Sequence, residues 1–588
     1  MKKFLYSFLG TMAGIWLSVI IGGILIFATI IALISNITPT SVTKIENKSV
    51  LRIELSGVIV DQLTPATLMD VVQDNVETQL SLSDIVKAIK SAKEDSRIEG
   101  IILDCKGASI GTATAEEIIN SIEDFKTSNK WVWAYSDGYT QSDYFIATTA
   151  DSVFVNPIGM VDIHGMGANV YFFKEFMDKI GVEAQIIKVG TYKSAVEPFM
   201  LKSISEANRQ QITHFTGRIW DNIKNTIAEN RNTSADSVNS WADSFSFSLS
   251  ASDYVNLKMV DAIKYAREID QLVAEKTQRD EPCYISLKDY CNSMVVPSSI
   301  KSKEKKIAIL YALGDISESD DTGIASDRLV PQIFELTEDE SIDGLILRVN
   351  SGGGSAFASE QIWDALEQFK AKTGKPFYVS MGDMAASGGY YISCGADSIY
   401  ASPLTLTGSI GIFGIIPNVE PLMKDKLGIN IETVETNIGS FPTFTRAMTP
   451  AQRNAMQSYV DRGYEIFVKR CADGRGMTID QIKAIAEGRV WDGTSALENG
   501  LVDKLGGLQT AINDMAISLG TSIENIDIEE YPKFEPQWWE KLAAMEQGGM
   551  ISILTSNCDL TVEAYKRISD QIRNIYPLQC RADYIYLK

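Results

Sequence analysis

The chain has 588 residues, 45% of them apolar and 22% charged, with 54 basic against 76 acidic side chains and a formal net charge of −22. Such a length holds about four domains of roughly 150 residues, and the composition is that of a globular protein, neither disordered nor fibrous. The acidic field repels phosphate backbones and excludes nucleic acid as a default partner. The two histidines, His164 and His214, belong to no HExxH or Cys/His cluster, which argues against a zinc hydrolase or an imidazole-dependent triad and leaves them as structural or surface residues. Seven cysteines, an odd and sparse set, exclude a disulfide scaffold and leave open only local pairing of Cys283 with Cys291 or Cys558 with Cys580.

In chain order, the first predicted element is a membrane helix. Met1-Lys2-Lys3 precedes an uncharged run, and its densest part, Ala13 to Ser35, is 23 residues long. A helix of about 20 apolar residues spans a hydrocarbon core, whereas a cleavable signal peptide has an apolar stretch of about 7–15 residues followed by a small-x-small site. Leu33-Ile34-Ser35-Asn36 is a poor cleavage site, so residues 1–36 are expected to remain as an anchor. Lys2 and Lys3 favour a cytoplasmic amino terminus and place the body across the membrane, although Lys44 and Lys48 oppose that bias.

The body is one unit written twice. Gly100 to Lys126, GIILDCKGASIGTATAEEIINSIEDFK, is answered by Gly344 to Lys370, GLILRVNSGGGSAFASEQIWDALEQFK. Each predicts a buried strand, a loop and an amphipathic helix. Tyr144–Pro157 is likewise answered by Tyr390–Pro403, and Ser205-x-x-x-Arg209 and Thr449-x-x-x-Arg453 open two long helices with N-cap residues in place. Alternating strands and helices imply βαβ units and a mostly parallel sheet. The expected organisation is a first domain over 45–295, a polar linker within 291–306, a second domain over 306–532, and a tail over 533–588 that has no counterpart in the first copy.

The duplication allows an internal comparison. A structural residue is acceptable in both copies, whereas one needed once for chemistry is kept in one. The second copy carries MGDMAASGGYY, with Ser387 followed by Gly388-Gly389, where the first copy has SDGYTQSDYF and Asp143 falls on the glycine pair. Small neighbours permit a sharp strand-to-helix turn and close substrate approach to a serine. The second copy also has Ser351-Gly352-Gly353-Gly354-Ser355 where the first has Gly107-Ala108-Ser109-Ile110. Backbone N–H groups in a glycine run can stabilise an oxyanion by about 3–4 kcal/mol each. Either feature alone also reads as an ordinary structural turn. Conversely, the first copy has Lys193 within IIKVGTYKSAVEPF, and the second has no lysine between Lys426 and Lys469. Alone, Lys193 reads as a solvated surface residue; paired with the serine of the other copy it is a candidate base. An amine of ordinary pKa, about 10.4, accepts no proton at neutral pH, so the role requires burial, which lowers such values by about three units. Tyr192, Ala195, Val196, Pro198 and Phe199 suit a dry setting, and Glu197 has to point away.

These residues resemble the signal peptide peptidase A (protease IV) family in its long, duplicated form. The likeness runs over about residues 45–530 and is carried by VGTYKSAVEPF, VNSGGG, MGDMAASGGYYIS and LTGSIGIFG. It implies an α/β fold of two tandem Clp protease/crotonase-like ββα spiral domains behind the transmembrane helix. It implies a Ser/Lys dyad of nucleophile Ser387 and general base Lys193, with Ser409 orienting the lysine and the backbone N–H groups of Gly353 and Gly388 as oxyanion donors. Thr191 stands where the family more often has lysine, and Ser142, near the nucleophile position of the first copy, lacks the glycine pair and reads as inert. The implied activity is serine endopeptidase cleavage of residual signal peptides without metal or organic cofactor. The implied setting is a bacterial inner membrane, with a homotetrameric catalytic body on the extracytoplasmic side. The competing readings are an inactive membrane-anchored scaffold and a crotonase-type acyl-CoA enzyme. The sequence leaves open whether the dyad forms within one chain or between chains.

Overall fold

The computed structural model describes residues 45–63, 79–294, 304–320, 323–437, 439, 443–533 and 579–581. The expected anchor, the middle of the linker and most of the tail, including Trp538 and Trp539, lie outside the described residues. Among those described, no helix is long and apolar enough to cross a membrane.

Each copy builds its own parallel sheet. The first has six strands in the order Ala262–Ile263, Ser152–Val155, Trp131–Ser136, Ile98–Cys105, Ser49–Leu55 and Tyr284–Ser286. The second runs Val490–Asp492, Leu406–Gly408, Phe377–Ala386, Gly344–Ser351, Lys305–Leu313 and Ile526–Tyr531, with Ser398–Ala401 and Lys504–Leu505 joined alongside Phe377–Ala386. Its pairs are parallel except that between Leu406–Gly408 and Val490–Asp492. The central strands are buried on both faces, as near-continuous apolar runs such as Ile-Ala-Ile-Leu-Tyr-Ala require. In the repeated helices, Thr112–Lys126 and Ala356–Thr373, the buried residues Ile118, Ile122 and Phe125 recur as Ile362, Leu366 and Phe369. Three- and four-residue spacing places each set on one helical face against its sheet. Ser205 and Thr449 cap the two long helices Glu206–Asn230 and Pro450–Arg475, accepting from Asn208 N and Gln452 N. Cys283 and Cys291 are both free, so the local bridge between them is not formed.

The two halves are fused rather than tethered. A third, mixed sheet pairs Glu183–Lys188 of the first copy antiparallel with Phe413–Asn418 of the second. The first core includes Leu404, Leu406 and Val490, and the second includes Ile187. Between them lies Arg348, a fully buried guanidinium on Gly344–Ser351. Its Nε donates to Asp61 Oδ1 at 2.7 Å, its Nη1 to Ser380 Oγ at 2.9 Å, and its Nη2 pairs with Glu117 Oε1 at 2.6 Å. Burial pushes the Glu117 carboxyl up, and the Arg348 charge pulls it back. Glu117 Oε2 also accepts from Leu508 N at 3.0 Å and so caps the Leu508–Ser518 helix of the other copy, whose own N-cap residue is Gly507. A Cβ on Gly507 would lie 2.4 Å from Glu117 Cδ, so the glycine makes room for that cap.

A buried ion pair contributes little relative to a well-packed apolar replacement, but removing one partner strands the other charge and costs about 3–5 kcal/mol. Arg348→Ala leaves both Asp61 and Glu117 stranded. It is expected to lower the free energy of unfolding by about that amount, measured by urea denaturation.

Candidate active site

Ser387 sits where the Phe377–Ala386 strand turns into the Gly388–Ser393 helix, with φ 56° and ψ −113°. A serine held in this sparsely populated region is a strained elbow of the kind that projects a nucleophile. The glycines that follow are required by packing. A Cβ on Gly388 would stand 2.7 Å from Ser359 Oγ and 3.1 Å from Gly353 Cα, and one on Gly389 would stand 2.7 Å from Ser351 O. The glycine pair therefore lets the short helix press on the 351–353 loop.

Lys193 arrives from the other copy on the loop that follows Glu183–Lys188. The loop is fixed by Val189 N donating to Ile412 O at 3.1 Å and Tyr192 N donating to Glu487 O at 2.9 Å. Gly488, at φ 78°, permits the closest approach, since a Cβ there would lie 2.6 Å from Lys193 Cβ. Lys193 is 1% exposed and Ser387 0%. The Lys193 Nζ stands 2.8 Å from Ser387 Oγ, 3.0 Å from Ser409 Oγ and 3.1 Å from Ser409 O, all within one chain. Glu197 turns away from the amine: its carboxylate accepts from Ser205 N, Ser205 Oγ and Asn208 Nδ2 at the start of the Glu206–Asn230 helix.

This arrangement has a definite chemical capacity. A neutral amine carries two N–H bonds and one lone pair. In that state the two acceptors of Ser409 can take the two hydrogens, which directs the lone pair at the Ser387 hydroxyl. Ser409 itself is held at φ 50°, its N–H donating to Arg489 O at 2.7 Å.

Gly388 N lies at the first turn of the helix that follows Ser387, and Gly353 lies against it. The Gly353 N–H donates to Ser351 Oγ at 3.0 Å, so it has to share or release that bond to serve an oxyanion. Beside these residues Gln579–Arg581 runs antiparallel to Gly353–Ser355 and is bridged to Phe413, so an extended segment lies between those two edges.

The equivalent place in the first copy is filled from within. Asp143 is buried where the second copy has glycine, and its Oδ2 accepts from Gly107 N at 2.9 Å. Burial pushes this carboxyl up while the hydrogen bonds from Thr140 and Gly107 pull it down. His214 lies 3.1 Å from Ser495 Oγ and 3.5 Å from Asp492 Oδ2, and His164 is 4.0 Å from Asp162. The Ser495 hydroxyl donates to Asp492 Oδ2 at 2.5 Å, in the N-terminal cap of the Gly493–Glu498 helix.

One contributor was missed in the sequence. Gln211 is buried and donates through Nε2 to Ser194 Oγ at 2.8 Å and Tyr192 O at 3.2 Å, while its Oε1 accepts from Val490 N at 3.2 Å. It thereby ties the lysine loop to the second sheet. The signal was available: with Arg209 aligned to Arg453, Gln211 falls on Ala455, the same one-copy asymmetry that marks Lys193.

The fold and the residues around Ser387 define a class, a serine peptidase on a Clp protease-type scaffold, and the Clp protease family matches over residues 313–405. The narrower assignment rests on the repeat: the chain belongs to peptidase family S49, which matches twice, over residues 124–280 and 369–522. Among its relatives is Protease 4 of Salmonella typhi, 35% identical over 486 residues that cover 79% of this chain and 77% of the relative. Protease 4 of Haemophilus influenzae is 34% identical, covering 80% of this chain and 79% of the relative. A putative signal peptide peptidase SppA of Enterococcus faecium is 33% identical over a shorter span, 36% of this chain and 64% of the relative.

Ser409→Ala removes one of the two acceptors that orient the amine. The amine becomes an ammonium as it takes the proton, and a hydrogen bond to a charged group contributes about 1.5–3 kcal/mol, so kcat is expected to fall by roughly ten- to a hundredfold with KM little changed. Steady-state hydrolysis of a fluorogenic peptide measures it.

Proposed function

We propose that the chain is a membrane-anchored endopeptidase that cuts extended peptides by a Ser387–Lys193 dyad, and that its substrates are signal peptides remaining in or near the bilayer after secretion. The observation that carries the dyad is the 2.8 Å approach of a buried amine to a buried hydroxyl at a strained turn.

In the first half-reaction neutral Lys193 takes the Ser387 proton as Oγ attacks the peptide carbonyl. Gly388 N–H and a released Gly353 N–H hold the oxyanion, the ammonium returns its proton to the departing amine, and an acyl ester remains on Ser387. In the second, water attacks the ester with the same amine as base, and Ser387 regains its proton as the peptide acid leaves. An extended substrate suits the site because a strand already fits between Gly353–Ser355 and Phe413. The signal-peptide assignment is supported by the name of the Enterococcus relative and by the uncharged run that opens the chain.

The same reading places residues 1–36 as a single span of the bacterial inner membrane with the amino terminus in the cytoplasm and the catalytic body outside it. It further takes the body to be a homotetramer whose sites face inward, so that only unfolded chains enter.

A serine-reactive fluorophosphonate tests the chemistry. Labelling is expected on Ser387, absent in Ser387→Ala, and slowed in Lys193→Ala by the roughly 10²–10⁴-fold that a general base supplies. Its rate is expected to rise with pH along a one-proton limb, since only the deprotonated amine accepts a proton. An unlabelled wild-type protein overturns the dyad. The anchor is tested separately: the full chain is expected in the alkali-washed membrane fraction, and a chain lacking residues 1–36 in the supernatant.

A further inference from the structure

Between the paired strands Gly344–Ser351 and Phe377–Ala386 the register jumps. Val349 faces Met381, yet Ser351 faces Ala385, so the single residue Asn350 stands opposite Gly382, Asp383 and Met384. This bulge ends three residues before Ser387 on one strand and directly before Ser351 on the other. A bulge leaves backbone unpaired and bends its strand, so something has to hold it. Asn350 does so in part: its Oδ1 accepts from Met384 N at 3.1 Å and its Nδ2 donates to Asp61 Oδ2 at 3.0 Å.

The other tie comes from Asp383, which reaches out of the bulge to the first copy. Its Oδ1 accepts from Ala113 N at 2.9 Å and Thr114 N at 3.0 Å, and its Oδ2 accepts from Thr114 Oγ1 at 2.6 Å. Those two amides are the second and third of the Thr112–Lys126 helix, where a helix normally receives its cap from its own N-cap side chain. Here the N-cap residue is Gly111, which offers no side chain. A Cβ on Gly111 would fall 2.1 Å from Asp383 Cγ. The repeated helix of the second copy, by contrast, is capped by its own Ser355. The first copy has given up its local cap at the place where the second copy's carboxylate enters, four residues before the nucleophile.

We propose that Asp383 is a positioning residue for the reaction: by capping a helix of the first copy it locks the bulge that sets Ser387 and the oxyanion loop against Lys193. The halves are then pinned on two sides of the nucleophile, by the lysine loop on one and by Asp383 on the other. The inference rests on the Ser387–Lys193 reading above.

A plain stabilising role for Asp383 is separable from a positioning one, because the cap can be restored without the tie. Gly111 has ordinary extended backbone, φ −73° and ψ 159°, and the three nearest atoms that a Cβ there would meet belong to Asp383 itself. In Asp383→Ala/Gly111→Ser the helix regains a local serine cap while the nucleophile strand stays unattached. Thermal unfolding, peptide kcat and KM, and the fluorophosphonate labelling rate are measured on the full chain. Asp383→Ala is expected to lower Tm and to lower kcat and labelling at least tenfold with KM within about twofold. The double variant is expected to regain Tm but not kcat or labelling, and Asp383→Asn, which keeps one acceptor oxygen for the two amides, to retain most activity. Recovery of both stability and labelling in the double variant overturns the proposal, as does wild-type labelling in Asp383→Ala. If Asp383→Ala does not fold, the double variant carries the test. Failure of the wild-type protein to label is a separate result and counts against the dyad, not against Asp383 alone.

Discussion

The arrangement depends on keeping an amine out of water and within hydrogen-bonding distance of a hydroxyl. A lysine in solution is protonated at neutral pH and useless as a base. The fold answers with burial, two acceptors on Ser409, and a loop wedged against the second sheet so closely that Gly488 must lack a side chain. Glu197, the nearest acidic residue in the sequence, is drawn off to the cap of the following helix. The Glu197 carboxylate, engaged there, does not hold the proton of the amine.

Under the proposed dyad, this accounts for a division of labour between the copies. One half supplies the lysine and has its own equivalent site plugged by Asp143, which accepts from Gly107 N. The other half supplies the serine, the glycines and Ser409. Chemistry spread over two halves demands that they not move relative to each other, and the interface is built accordingly. Strands pair across it, apolar residues of each half enter the other's core, Arg348 joins Asp61 and Glu117, and each copy caps a helix of its neighbour through a glycine N-cap.

Much of this was legible in the sequence because the duplication supplied a control. Repeated apolar spacing matches the sheets and helices, and the unrepeated residues, Lys193 on one side and Ser387 on the other, are brought together in the candidate site. What escaped was the polar architecture between the copies. Arg348, Glu117 and Asp383 sit inside ordinary strand and helix patterns, and their partners belong to the other copy, 391 residues away in the chain for Glu117 and Leu508. No local periodicity marks such pairs. Gln211 was readable by the copy-against-copy argument but sits among other polar helix residues, and the engagement of the Gly353 N–H by Ser351 depends on a loop conformation that composition does not specify.

Mixing subunits tests the central claim most directly. Ser387→Ala and Lys193→Ala chains are co-expressed, purified together and assayed for fluorophosphonate labelling. With base and nucleophile meeting inside one chain, the mixed preparation labels no faster than Lys193→Ala protein alone. Recovery to a substantial fraction of the wild-type rate would mean that the lysine of one chain serves the serine of another, and would contradict the account.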